Sequence, residues 1–354
     1  MDSSNGAGRA YIGSFTSAGG RGITVAAVDE ETGALTVLGA TDAVPDPSYL
    51  ALGRGAGGAV LYAVSETEKG AAAALDVSHD VPRLLGELRP VDGDSPTHLA
   101  LVGGHVVTAN YGSGSVTALP VLADGSLGAA SCVLANEGSG PVTERQEGPH
   151  AHQVLPDPSG NWVLGVDLGT DSVRICALDA ETGELRAHGE TVLRSGTGPR
   201  HLAFHPAGGH AYVLNELEPT VMVCRWDATA GVLEAVGETP VLPAGASGDA
   251  GRASYPSEVV VAHDGRFLWV ANRGHDSISV LALDSTGEQV SLITTVSCGG
   301  HWPRDLALDP SGRRLYAANE RSGDVSWFAV DPETGIPAPE GSLEVPAASC
   351  VIFA

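Results

Sequence analysis

Short apolar runs of five to eight residues recur along the chain, broken by turns rich in Gly, Pro, Asp and Asn, with no helical periodicity anywhere. The stretch from Pro199 shows the plan. Pro199-Arg-His-Leu-Ala-Phe reads as one strand, His210-Ala-Tyr-Val-Leu-Asn as a second, Thr220 to Asp227 as a third, and Val232 begins a fourth. A Pro/Gly turn separates the first two strands, explicit elsewhere as Asp157-Pro-Ser-Gly and Asp309-Pro-Ser-Gly. A Thr-Gly turn separates the third and fourth, as in Glu181-Thr-Gly-Glu and Glu333-Thr-Gly-Ile. Proline presets one turn dihedral and glycine supplies the positive φ, so these breaks have a mechanism.

The same unit returns at intervals of about 50 residues, led by Pro47, Pro96, Pro149, Pro199, Pro256, Pro303 and a degraded Pro346. A unit this small cannot bury its own apolar face, so its neighbours must cover it. Four antiparallel strands per unit and seven units predict an all-β, seven-bladed β-propeller occupying residues 1–354 as one domain. The last lead, ending at Phe353, has no second strand after it, while Ala10-Tyr-Ile-Gly-Ser reads as a second strand with no lead before it. Pairing those two segments in one blade closes the ring and removes an exposed edge.

Charge then narrows the partners. Nineteen basic against 43 acidic residues give a formal charge of −24, and Lys69 is the single lysine. Such a surface repels nucleic acid and anionic membranes. The first residues show no basic segment followed by an apolar one, and no window approaches a membrane span. The five cysteines are odd in number and lie in separate repeats without a C-x-x-C pair. A reduced, cytoplasmic protein with neither disulfides nor zinc is expected, as a monomer or small homo-oligomer.

In a propeller the first strands line the central channel, so residues just after each lead proline should face it. These are Ser48-Tyr49, Thr97-His98, His150 and His152, Arg200-His201, Ser257-Glu258 and Arg304-Asp305. The ends of the second strands add Ser65-Glu66, Asn110-Tyr111, Asp167, Asn215-Glu216, Asn272-Arg273 and Asn319-Glu320. Asparagine at a strand end more often satisfies turn backbone than binds a ligand. Arginine there demands a carboxylate or an anionic ligand. His98, His150, His152 and His201 cluster near one ring position, where a group titrating near neutrality suits proton transfer. His150 and His152 point the same way and could suggest a metal, with Glu216 and Glu258 as possible further ligands. No tidy ligand pattern follows and the neighbours are cationic, so neither metal nor cofactor is expected.

The segments GPHAHQV, GPRHLAFHP, YVLNELEPTV and VANRGHDSI resemble the seven-bladed propeller lactonase family, which includes propeller-type 6-phosphogluconolactonases and carboxymuconate lactonising enzymes. The resemblance runs nearly the whole chain. It implies that His152, Arg200, Glu216 and Arg273 are the active groups, with His152 or Glu216 as base or acid and the arginines holding a carbonyl oxygen or a carboxylate. His98, His150, His201, Glu258, His301 and Arg304 are the candidate substrate-binding groups, and a phosphate would fall to Arg304, His201 or His301. The expected substrate is a small anionic lactone, with 6-phosphogluconolactone first. A muconate-type dicarboxylate cyclase or isomerase and a non-catalytic scaffold are the other readings. The insertion from Ala135 to Gln146 and the stretch from Pro243 to Ser254 are expected to act as lids.

Overall fold

The computed structural model describes residues 8–246 and 253–354. Seven antiparallel sheets form the ring, six of four strands and one of five. We number the blades from the first complete one, whose inner strand is Leu50–Gly55. The inner strands of blades 2 to 6 are Pro96–Val102, Ala151–Pro156, Pro199–Phe204, Tyr255–Val261 and Pro303–Leu308. In blade 7 the C-terminal strand Ala348–Phe353 is innermost and pairs with Gly8–Ser14, so the ring closes as the sequence predicts. Blade 1 departs from the plan only at its outer edge, where two strands of two residues each pair with Ala71–Asp76. Among the described residues no helix is long and apolar enough to cross a membrane.

The hydrophobic core lies between the blades. Seven apolar clusters match the seven blade interfaces, each drawing on two neighbouring sheets. This is how a repeat too thin to fold alone becomes stable. A buried aromatic on the second strand stitches several interfaces. Tyr62, Tyr212 and Tyr316 donate their hydroxyls, and Trp269 its indole N–H, to a glycine carbonyl in the outer turn of the next blade, at 2.7–2.9 Å. Each buried polar tip thereby keeps a partner. A Cβ on Gly33 would stand 2.7 Å from the Tyr316 hydroxyl, and Gly33 also has φ +70°, so only glycine fits there.

The asparagines at the second-strand ends are structural. Asn110 donates to Ser115 and Thr117, Asn272 to Ser277 and Ser279, and Asn319 to Asp324 and Ser326, in each case latching the third strand of its own blade.

One ladder irregularity places the chemistry. In six of the inner strands pairing slips by one residue near the lead, leaving Thr97, His152, Arg200, Arg304 and Ser349 opposite no partner and Ser257 and Glu258 together opposite Ala271. A bulge of this kind bends the strand and re-aims the extra side chain. Four of the expected site residues, His152, Arg200, Glu258 and Arg304, stand on such bulges.

Candidate active site

Arg200 enters from the bulge of blade 4, and Glu216 follows the end of that blade's second strand, Asn215. Arg273 ends the second strand of blade 5. Arg145 comes from the insertion between blades 2 and 3. The four meet in the channel. Glu216 Oε1 accepts a hydrogen bond from Arg145 Nη2 at 2.6 Å. Its Oε2 lies 3.1 Å from Arg200 Nε and 2.7 Å from Arg273 Nη2. Burial alone would push this carboxyl up, but Arg273, Arg200 and Arg145 overcome it and hold it at about 2. Glu216 is therefore a permanent carboxylate, unsuited to carrying a proton as either acid or base near neutrality.

The arginines are fixed from behind. Arg200 Nη1 donates to the Ser257 carbonyl, and Ser257 Oγ in turn donates to the Pro303 carbonyl at 2.6 Å. Arg273 Nε donates to the Tyr255 carbonyl at 3.1 Å. Burial and the neighbouring Arg273 push the Arg200 guanidinium down to about 9, which still leaves it charged at neutral pH. Three guanidiniums thus share one carboxylate, and Arg200 Nε has no hydrogen-bond partner within the chain. The site is locally cationic inside a protein of charge −24.

Deeper in the channel stand the imidazoles. The His152 and His201 rings lie 5.1 Å apart, and His98 lies 5.5 Å from His201 while stacking on Tyr49 at 3.8 Å. Burial, then the charges of Arg200 and its neighbours, hold His152 and His201 well below the usual histidine range. Burial and His201 do the same to His98. All three are neutral near pH 7, and His152 Nδ1, His98 Nδ1 and His201 Nε2 are buried without a partner in the chain. His201 Nδ1 meets Glu258 Oε2 at 2.7 Å. Burial raises Glu258, and it raises the neighbouring Asp305 further, so Asp305 keeps its proton and shares it with Glu258. The Glu258–Asp305 pair also lines a cavity of about 380 Å³ bounded by Leu308 and Phe353, farther along the inner strands.

Other expected residues stand apart. His150 is in the wall, with Nδ1 2.9 Å from the Tyr111 carbonyl and its ring stacked on Tyr111 at 4.4 Å. Arg304 is spent on Glu66 and Glu320, at 3.2 and 3.5 Å, with its guanidinium over Phe15. His301 lies on the rim, bonded through Nδ1 to Asp276 at 2.9 Å. Among the described residues no group of three or more His, Cys, Asp or Glu side chains is arranged to hold a metal ion.

The sequence reading missed four groups. Arg145 lies inside the stretch expected to be a lid. That stretch is tied down by buried Gln146, whose Nε2 donates to the Leu168 carbonyl and to Asp171 at 2.8 Å each. Half of the second expected lid, Pro243 to Ser254, namely residues 247–252, falls outside the described residues. Tyr255, Trp302 and Arg321 line a rim cavity of about 720 Å³ beside Arg273. Trp302 has φ +63°, a left-handed conformation that costs a bulky residue about 1–3 kcal/mol. A separate groove of about 500 Å³ on blades 5 and 6, lined by Phe267, Trp269 and Arg313, holds none of the channel groups.

The family model described as Lactonase, 7-bladed beta-propeller, matches residues 9–353. The chain is 35% identical over 352 residues to the 6-phosphogluconolactonase of Bacillus subtilis, covering 97% of each. The crystal structure of a putative 6-phosphogluconolactonase from Bacteroides fragilis superposes with a TM-score of 0.90 at 28% identity, covering 100% of this chain and 99% of that one. The periplasmic gluconolactonase PpgL of Pseudomonas aeruginosa gives a TM-score of 0.90 at 29% identity, covering 99% of both.

Proposed function

The chain belongs to the seven-bladed β-propeller lactonase family, and we propose that it opens an anionic sugar lactone, 6-phosphogluconolactone foremost, without a metal ion. The observation that carries this reading is the sharing of one carboxylate, Glu216, by Arg145, Arg200 and Arg273 beside a neutral, unpartnered His152. The surplus positive charge favours an anion, and the neutral imidazole can accept a proton at physiological pH.

In this mechanism His152 takes a proton from water as the water oxygen bonds to the lactone carbonyl carbon. The carbonyl oxygen becomes an oxyanion held by Arg200 and Arg273. The ring C–O bond then breaks, and the proton on His152 passes to the departing alkoxide. The carboxylic acid product ionises and leaves as an anion. Glu216 moves no proton in this scheme, and its part is to space the guanidiniums. His201, set by Glu258, keeps a neutral ring against His152.

A cytoplasmic location is part of the same proposal, supported by five free cysteines, four of them buried. The test is the rate of ring opening by chelator-treated protein, followed as acid release from freshly prepared 6-phosphogluconolactone. A rate well above the spontaneous one is expected, falling by roughly 10²–10⁴ in His152→Ala. A wild-type rate equal to the spontaneous one, or a His152→Ala variant as fast as wild type, overturns it.

A further inference from the structure

The rim cavity beside Arg273 is built around a tryptophan held in an unfavourable backbone conformation. Asp276 Oδ1 accepts the Trp302 backbone N–H at 2.8 Å, and its Oδ2 meets His301 Nδ1 at 2.9 Å, so one carboxylate fixes both residues. The Trp302 carbonyl accepts the Glu320 N–H at 3.1 Å, completing the clamp. The Trp302 ring is flanked by two cations. The Arg321 guanidinium carbon stands 3.4 Å from the ring centroid, and that of Arg273 stands 5.6 Å from it. Tyr255 closes the wall, 6.3 Å from Trp302 and 6.0 Å from the Arg145 guanidinium.

Among the described residues Arg321 is exposed and makes no ion pair, whereas Arg304, its counterpart nearer the axis, has two. Stacking on Trp302 holds the Arg321 guanidinium in place without using its N–H groups on a carboxylate. The result is two cationic points beside one indole, with a cavity of about 720 Å³ lined by Arg321 and Trp302. A ligand that uses both must carry two anionic or developing anionic groups separated by several bonds.

We propose that this cavity is the subsite for a phosphate monoester on the substrate, with Arg321 as its donor and His301 lining the wall beside it. Trp302 sets the distance between that phosphate and the lactone carbonyl at Arg273. The inference rests on the reading of the channel as a lactone-opening site and assigns a place to the phosphate its substrate carries. A phosphate dianion takes several charge-assisted hydrogen bonds at once, and a guanidinium can supply two in parallel. An unphosphorylated sugar lactone gains nothing from them. Binding energy at this distant group would position the ring for attack.

The experiment compares wild type, Arg321→Ala and Arg321→Lys on 6-phosphogluconolactone and glucono-δ-lactone. The preference, taken as the ratio of kcat/KM values, should fall roughly tenfold or more in Arg321→Ala through KM, with partial recovery in Arg321→Lys. A ratio within twofold of wild type in Arg321→Ala overturns the subsite. Calorimetric titration with 6-phosphogluconate and with gluconate gives a readout that needs no turnover. Tighter binding of the phosphorylated acid that is lost in Arg321→Ala supports the subsite, and equal binding of both acids by wild type overturns it. If wild type opens neither lactone, the proposed function fails while the titration still decides the subsite.

Discussion

Glu216 and Glu258 sit on neighbouring blades, both buried and both facing the channel, yet their proton affinities are moved in opposite directions. Glu216 is surrounded by three guanidiniums and held at about 2. Glu258 has an imidazole on one side and a protonated Asp305 on the other, and burial raises it. The same side chain becomes a fixed anion in one place and a proton-sharing group in the other, and only the neighbours differ. The outer part of the channel is thus built to receive negative charge. The inner part is built to keep imidazoles neutral.

Replacing Arg200 with alanine should lower kcat/KM roughly 10²–10³-fold, since it removes a donor for the oxyanion. His98→Asn, in the inner part, should change it less than tenfold, and steady-state kinetics on one lactone compares the two. Equal losses would erase the division between the two halves.

Glu216→Gln should destabilise the fold by about 3–5 kcal/mol near neutral pH, because it leaves three buried guanidiniums without their counter-charge. The dependence on pH has a sign. Because the folded value of Glu216 lies below its ordinary 4.5, its stabilising contribution is complete above about pH 4.5 and drains away as pH falls towards 2. Denaturant titrations over that window should show wild type losing its advantage over the variant.

Glu258→Gln should behave in the opposite direction and by less, about 1–2 kcal/mol. A carboxyl raised on folding favours the fold at low pH and costs stability as pH climbs above the ordinary 4.5. Glutamine mimics the protonated form and can still accept from His201. The melting temperature of the variant should therefore gain on wild type between pH 4.5 and pH 8, and a loss over that range would contradict the shared proton. The smallest effect concerns wild type itself. With His152 held well below the usual histidine range, kcat/KM should stay flat as pH falls from 7.5 to 6.5, and a halving over that range would show an ordinary imidazole.

The ring, the seven blades and the closing strand were legible because proline leads and glycine turns repeat at fixed places. Most positions after the leads were legible as channel-facing for the same reason, His150 in the wall being the exception. What one-dimensional reading could not supply is the company each residue keeps. Glu216 reads as an acid or base until three arginines from three separate segments are seen to converge on it. Arg304 reads as a free cation until Glu66, 238 residues away in the chain, is found beside it. Arg145 lies in an insertion with no strand register to say where it points. Trp302 and Arg321 lie in loops flanking the last complete blade's first two strands, outside the repeat that made the other positions readable.

The slipped pairing in six of the inner strands has a consequence for how such an enzyme changes its specificity. His152, Arg200 and Arg304 occupy positions that the hydrogen-bond ladders leave unmatched, and so do Thr97 and Ser349. Exchanging a residue there re-letters the channel without shifting any strand against its neighbour. A descendant with a new acid at Thr97 or a new cation at Ser349 would inherit the whole scaffold unaltered, so its chemistry can drift while its architecture stands still.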